Sequence, residues 1–119
     1  MKAKPKKTVS PTQRSLKKLR DEGYTCQIVE HFNVWVKIRQ DLFGFIDILA
    51  IKEGETLAVQ TTTMSGHDTA RVRKIKAHKN YPIVKSAGWR IVVHGWRQLQ
   101  GKYKNGNVKK YWACKEIEL

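Results

Sequence analysis

The sequence predicts an α/β domain, a mixed β-sheet flanked by helices. Three observations lead there. A helix-start signal at Ser10-Pro11-Thr12-Gln13 is followed by β-rich segments, then a basic helical stretch from Asp68, then β-rich segments again. That order implies helices packed on a sheet rather than a bundle or an all-β sandwich. Turn signals at Glu53-Gly54 and Asn105-Gly106 separate neighbouring apolar runs. Finally, 119 residues with 40% hydrophobic content suit one domain with a core of its own.

Each element has its own local reason. Residues 1–9 begin Met1-Lys2-Ala3-Lys4-Pro5-Lys6-Lys7, charged with no apolar run behind. That is no secretory signal, and it predicts a flexible basic arm ahead of a single domain at 10–119. Ser10 can cap the first helix, Pro11 suits its first position and Gln13 completes a capping box. Leu16 and Leu19 form a narrow apolar stripe, Arg14, Lys17, Lys18 and Arg20 stay solvated, and Gly23 is the stop. Tyr24 to Glu30 is rich in strand formers, and Phe32, Val34, Val36 and Ile38 alternate with more polar neighbours. Trp35 breaks that alternation, leaving a loop or helical turn at 31–35 open as the alternative.

Asp41 to Ile51 and Thr56 to Thr63 read as a hairpin around Glu53-Gly54. A second helix is expected from Asp68, as its cap, to about Lys79, ending before Pro82. Arg71, Lys74 and His78 share one face of it, while Val72, Ile75 and Ala77 supply a modest apolar side. Gly88 precedes a strand, Trp89 to His94, and Asn105-Gly106 turns the chain between Tyr103 and Tyr111 into a last strand near Trp112.

The charge balance narrows the function. Lys and Arg number 24 against 10 Asp and Glu, a net charge of +14. Such a surface attracts a polyanion, and nucleic acid is the commonest one. No apolar run approaches the ~20 residues of a membrane span, so no membrane partner is expected. Cys26 and Cys114 are too far apart for a zinc spacing and too few for a disulfide framework, which suits reduced thiols in a cytoplasmic protein. His31, His67, His78 and His94 lack the spacing and cysteine company of a zinc site.

Asp47 stands out within the apolar run Phe43-Gly44-Phe45-Ile46-Asp47-Ile48-Leu49-Ala50-Ile51. Burying a carboxylate there costs several kcal/mol unless it is paired, protonated or bound to a metal. Gln60 occupies the next apolar segment, Leu57-Ala58-Val59-Gln60-Thr61-Thr62. Phosphodiester hydrolysis needs charge neutralisation at the phosphate and a hydroxide near neutral pH. Mg²⁺ or Mn²⁺ held by a few carboxylates supplies both.

The order of these parts resembles the PD-(D/E)XK nucleases. An N-terminal helix, a strand with Gly44-Phe45-Ile46-Asp47, a tight turn, a strand with Gln60-Thr61-Thr62 and a basic helix cover residues 10–100. The G-x-x-D form is similar to that of small phage-type and Holliday-junction-resolvase-like members. The resemblance implies a restriction-endonuclease-like fold and metal-dependent cleavage of duplex, branched or junction DNA, with host cytoplasm as the compartment if the protein is viral. It implies Asp47 and Gln60 as metal ligands, the Thr61 carbonyl as a third, and no organic cofactor. Two positions depart from the pattern. Gln60 replaces an acid, and Thr62 stands where the catalytic Lys belongs. Arg71 and Lys74 are the candidates to supply that cation, with Lys37 and Lys52 behind them. Glu30 and Asp41 are candidate supporting acids, Asp41 because an even spacing from Asp47 keeps one face of a regular strand.

Nucleic-acid contacts are expected from Arg39, Arg71, Lys74, His78, Lys102, Tyr103 and Lys104. Among the aromatic residues interleaved with cations, Tyr103 is the best placed to stack on a base. A homodimer follows from the need for two sites in duplex or junction cleavage. Two other readings stand beside the nuclease: a nuclease-fold DNA-binding protein without catalysis, and a basic RNA-binding protein.

Overall fold

The computed structural model describes residues 9–63 and 67–119. The arm expected at 1–9 therefore lies outside the described residues except for Val9, and the second helix begins at His67, so Asp68 is within it rather than its cap. The first helix, α1 (Pro11–Asp21), forms as expected. Ser10 accepts a hydrogen bond from the Gln13 N–H at 3.2 Å, and Gly23 closes the helix at φ +94°, where a side chain would be strained.

Among the described residues seven strands follow: β1 (Thr25–Ile28), β2 (His31–Asn33), β3 (Ile38–Gln40), β4 (Ile48–Lys52), β5 (Glu55–Thr63), β6 (Arg90–Lys102) and β7 (Val108–Glu118). Five of them make one mixed sheet in the order β1-β4-β5-β6-β7. The β5–β6 pair is parallel and the other pairs are antiparallel. Between β5 and β6 the chain crosses over through α2 (His67–Ala77) and α3 (Tyr81–Ser86), as a parallel pair requires. The short pair β2–β3 stands apart from the sheet.

Alternating side chains sort onto the two faces of the sheet. Leu16 and Leu19 of α1 pack with Ile48, Ala50, Leu57, Val59 and Val92 on one face. Ile75 of α2 and Val84 of α3 pack with Phe45, Ile46, Ala58, Ile91 and Val93 on the other. Leu19 is wholly buried, which contributes about 2 kcal/mol. Ser15, on α1, meets two side chains of β6. The Trp96 indole N–H donates to Ser15 Oγ at 2.8 Å, and Ser15 Oγ lies 2.9 Å from His94 Nδ1. His94 Nε2 lies 2.9 Å from Glu116. The carboxylate can only accept, so the neutral ring donates from Nε2 to Glu116, and its bare Nδ1 accepts from the Ser15 hydroxyl, which itself accepts from the indole. Burial holds the His94 pKa below its ordinary value.

Three further sequence expectations change. The strand expected from Asp41 begins only at Ile48, because 41–46 fold into a turn with Gly44 N–H donating to Asp41 O and Ile46 N–H to Leu42 O. Gly44 takes φ +92°, and a Cβ there would meet His78 Nε2 at 2.4 Å, so only glycine fits. The second helix stops at Ala77 rather than Lys79, and Pro82 opens α3 instead of merely ending its predecessor. The segment after Glu30 is a separate hairpin, with strands at 31–33 and 38–40 and a turn around Trp35. Beyond Trp96, β6 pairs with β7 alone as far as Lys102–Val108. The result is a projecting two-stranded ribbon of six residues per strand, roughly 20 Å long. Among the described residues no helix is long and apolar enough to cross a membrane. Cys26 and Cys114 are free and half-buried.

Candidate functional site

The site gathers at the open end of β4 and β5. Asp47 immediately precedes β4 and is held on both sides by the backbone: its N–H donates to Val59 O and its carbonyl accepts from Val29 N–H, each at 2.9 Å. Those bonds place Val29, and Glu30 after it, beside Asp47. The 41–46 turn folds Asp41 back onto the same spot. One carboxylate oxygen from each of Glu30, Asp41 and Asp47 lies within 4.8 Å of the others. Adjacent oxygens on an ion with ~2.1 Å bonds lie about 3.0 Å apart, so the three acids would have to draw closer together to share one Mg²⁺.

The acids line a cavity of about 340 Å³ together with Ser10, Pro11, Thr12, Arg39, Gln60, Thr61 and Arg71. Thr61 donates to Asp47 Oδ2 from its backbone N–H at 2.9 Å and from its hydroxyl at 3.4 Å. Thr12 Oγ1 lies 2.9 Å from Thr61 Oγ1 and donates to Glu30 at 3.4 Å. Two hydroxyls thus tie the N-terminus of α1 to two of the acids. Arg39 approaches Glu30 at 3.9 Å. Gln60 is almost wholly buried at 7% exposure, and its Oε1 has no hydrogen-bond partner among the described residues. An orphaned carbonyl oxygen costs on the order of 1–3 kcal/mol and is a neutral donor suited to a hard cation.

The electrostatics agree with that donor set. Burial pushes the Asp47 carboxyl up to about 8; the Thr61 N–H opposes the rise, while Asp41 and Glu30 add to it. Asp41 is also raised, mainly by burial, and Arg39 and Arg71 hold it down. The two aspartates also act on each other, and they titrate together as a pair. Three carboxylates at this separation cannot all ionise cheaply without a cation.

A second cavity, about 280 Å³, shares Asp41, Gln60 and Arg71 with the first and adds Lys74 and His78. The helix α2 thus brings Arg71 and Lys74 to the edge of the acid cluster. Thr62 is buried, its hydroxyl donates to Thr63 O at 3.3 Å, and it lines neither cavity. His78 packs edge-on against Phe45 and accepts from Asn80 N–H through Nδ1. Lys102, Tyr103 and Lys104 lie at the end of the β6–β7 ribbon, outside both cavities.

Sequence reading had Asp47 and Gln60 at the centre, with Glu30 and Asp41 in support. The geometry puts the three acids on an equal footing. Thr12 was missed altogether. Its only signal was its place beside the Ser10 cap, and nothing in the chain order says that this helix end reaches β5. No protein-family model matches the sequence, and no curated protein matches it.

Proposed function

We propose that the protein is a metal-dependent DNA nuclease with a restriction-endonuclease-like fold of the PD-(D/E)XK kind. The observation that carries the reading is the convergence of Glu30, Asp41 and Asp47 within 4.8 Å, beside the unpartnered Gln60 oxygen. The all-oxygen donor set fits Mg²⁺ or Mn²⁺. When bound, such a cation polarises the phosphate and lowers the pKa of a coordinated water.

The chain's own groups do the rest. Asp47 would hold the ion as a carboxylate, and Thr61 fixes the direction of that carboxylate. Asp41 and Glu30 supply further charge, and Gln60 supplies a neutral oxygen. Arg71 and Lys74, at the rim, hold the scissile phosphate and stand in for the cation that Thr62 cannot offer. The net charge of +14 draws the DNA to the surface. Two copies would cut two strands.

The test is cleavage of duplex, flap, four-way-junction and single-stranded DNA with Mn²⁺. Asp47→Ala should abolish cutting and retain binding. Lys74→Ala should slow cutting tenfold or more, the scale of losing one charged transition-state contact, with metal affinity kept. Cutting undiminished by Asp47→Ala overturns the proposal. Binding without any cutting favours the non-catalytic DNA-binding reading, to which the buried Thr62 already lends weight. A preference for RNA at matched salt favours the RNA-binding one.

A further inference from the structure

The β2–β3 hairpin has an unusual surface. Phe32, Val34, Trp35, Val36 and Ile38 are all exposed, Trp35 at 91%. A soluble domain rarely offers so many large apolar groups together without an occupant for them. The tip is nevertheless a built structure. Asn33 Oδ1 accepts from the N–H groups of Trp35 and Val36 at 3.0 and 3.4 Å, and Lys37 reverses the chain at φ +55°.

Its position and charge select the occupant. Glu30 is the residue before β2 and Asp41 the residue after β3, so both roots of the hairpin are members of the acid cluster. Residues 31–40 include His31, Lys37 and Arg39 and no acid, a composition that suits a polyanion. A second copy would bring the same basic, acid-free hairpin to this surface, where like charges repel. A flat aromatic at the end of a basic arm matches the π-face of a base.

We propose that the hairpin is a stacking wedge that reads unpaired DNA bases beside the scissile phosphate, with Trp35 as its contact. The proposal rests on the nuclease reading for its ligand class. It makes branched, gapped or frayed DNA the preferred substrate over intact duplex. Trp35 is five positions from Glu30 and six from Asp41, roughly 16–20 Å at ~3.3 Å per residue. At 3.4 Å per nucleotide that sets the cut about five to six nucleotides from the unpaired position.

The first experiment is equilibrium binding without divalent metal, so it does not depend on cleavage. Wild type, Trp35→Ala and Trp35→Phe are compared on intact duplex and on the same duplex with a short single-stranded gap. Trp35→Ala should bind the gapped DNA about tenfold less tightly, the loss of one base stack, with duplex binding unchanged and Trp35→Phe close to wild type. Trp35 is too exposed for its loss to unfold the domain. Equal losses on both DNAs, or none, overturn the wedge. So does a shift from dimer to monomer in sedimentation, which would make the hairpin a self-interface. A selective loss without any cutting by wild type retains the wedge and removes the nuclease. Cutting with unchanged gap preference does the reverse.

Discussion

Replacing Asp47 with Asn keeps the shape of the central carboxyl and removes its titration. Asp47 ordinarily ionises at 3.8 and is pushed up to about 8 in the fold, chiefly by burial. The folded value lies above the unfolded one, so the proton stabilises the native state fully below 3.8, and that stability drains away as pH rises towards 8. At pH 7 the unfolded chain is ionised and the folded one still holds its proton, about three units above the unfolded pKa. At ~1.36 kcal/mol per unit, the wild type forfeits roughly 4 kcal/mol there, against roughly 2 at pH 5. Asn can still accept from the Thr61 N–H through Oδ1. The gain from Asp47→Asn should therefore grow by about 2–3 kcal/mol between pH 5 and pH 7 in chelator. Urea unfolding of both proteins at the two pH values reads this difference, in which groups remote from Asp47 cancel. Mg²⁺ or Mn²⁺ in hundredfold excess over its Kd should return about 3 kcal/mol to the wild type and little to the variant. A wild-type-minus-variant difference independent of pH would refute a buried proton on Asp47. Equal metal stabilisation of both proteins would refute its role as a ligand.

Two further outcomes follow from the packing. His94 is held neutral by burial, so its folded pKa lies below the unfolded one. Its contribution is present above the ordinary 6.5 and is lost as pH falls below it, and His94→Gln should flatten the acid limb of a pH–stability curve measured on an Asp47→Asn background. Gly44→Ala forces a Cβ to within 2.4 Å of His78 Nε2 at φ +92°. It should cost about 1–3 kcal/mol in thermal or urea unfolding and, by displacing the 41–46 turn that carries Asp41, weaken metal binding in calorimetry.

Local signals were legible where the chain decides its own conformation. The Ser10 cap, Pro11, the Leu16–Leu19 stripe and the Gly54 turn each act within a few residues, and α1 and the β4–β5 hairpin appear where those signals put them. Asp41 shows the limit of such reading. It was placed beside Asp47 on the assumption of a regular strand, yet it arrives through a turn that depends on Gly44 lying against His78, thirty-four positions away. Pro82 shows another. A proline marks a boundary, but whether a helix ends or begins there depends on Val84 finding a place in the core.

The sequence by itself determined an α/β domain of strong positive charge with a carboxylate in an apolar segment, because composition and short-range periodicity carry that information. The tertiary structure decided which acids keep Asp47 company, that the Gln60 Oε1 atom has no partner among the described residues and that Arg71 and Lys74 stand nearby while Thr62 turns away. Those are distances between residues far apart in the chain. They are set by the parallel crossover and by the packing of α1 and α2 on opposite faces of the sheet.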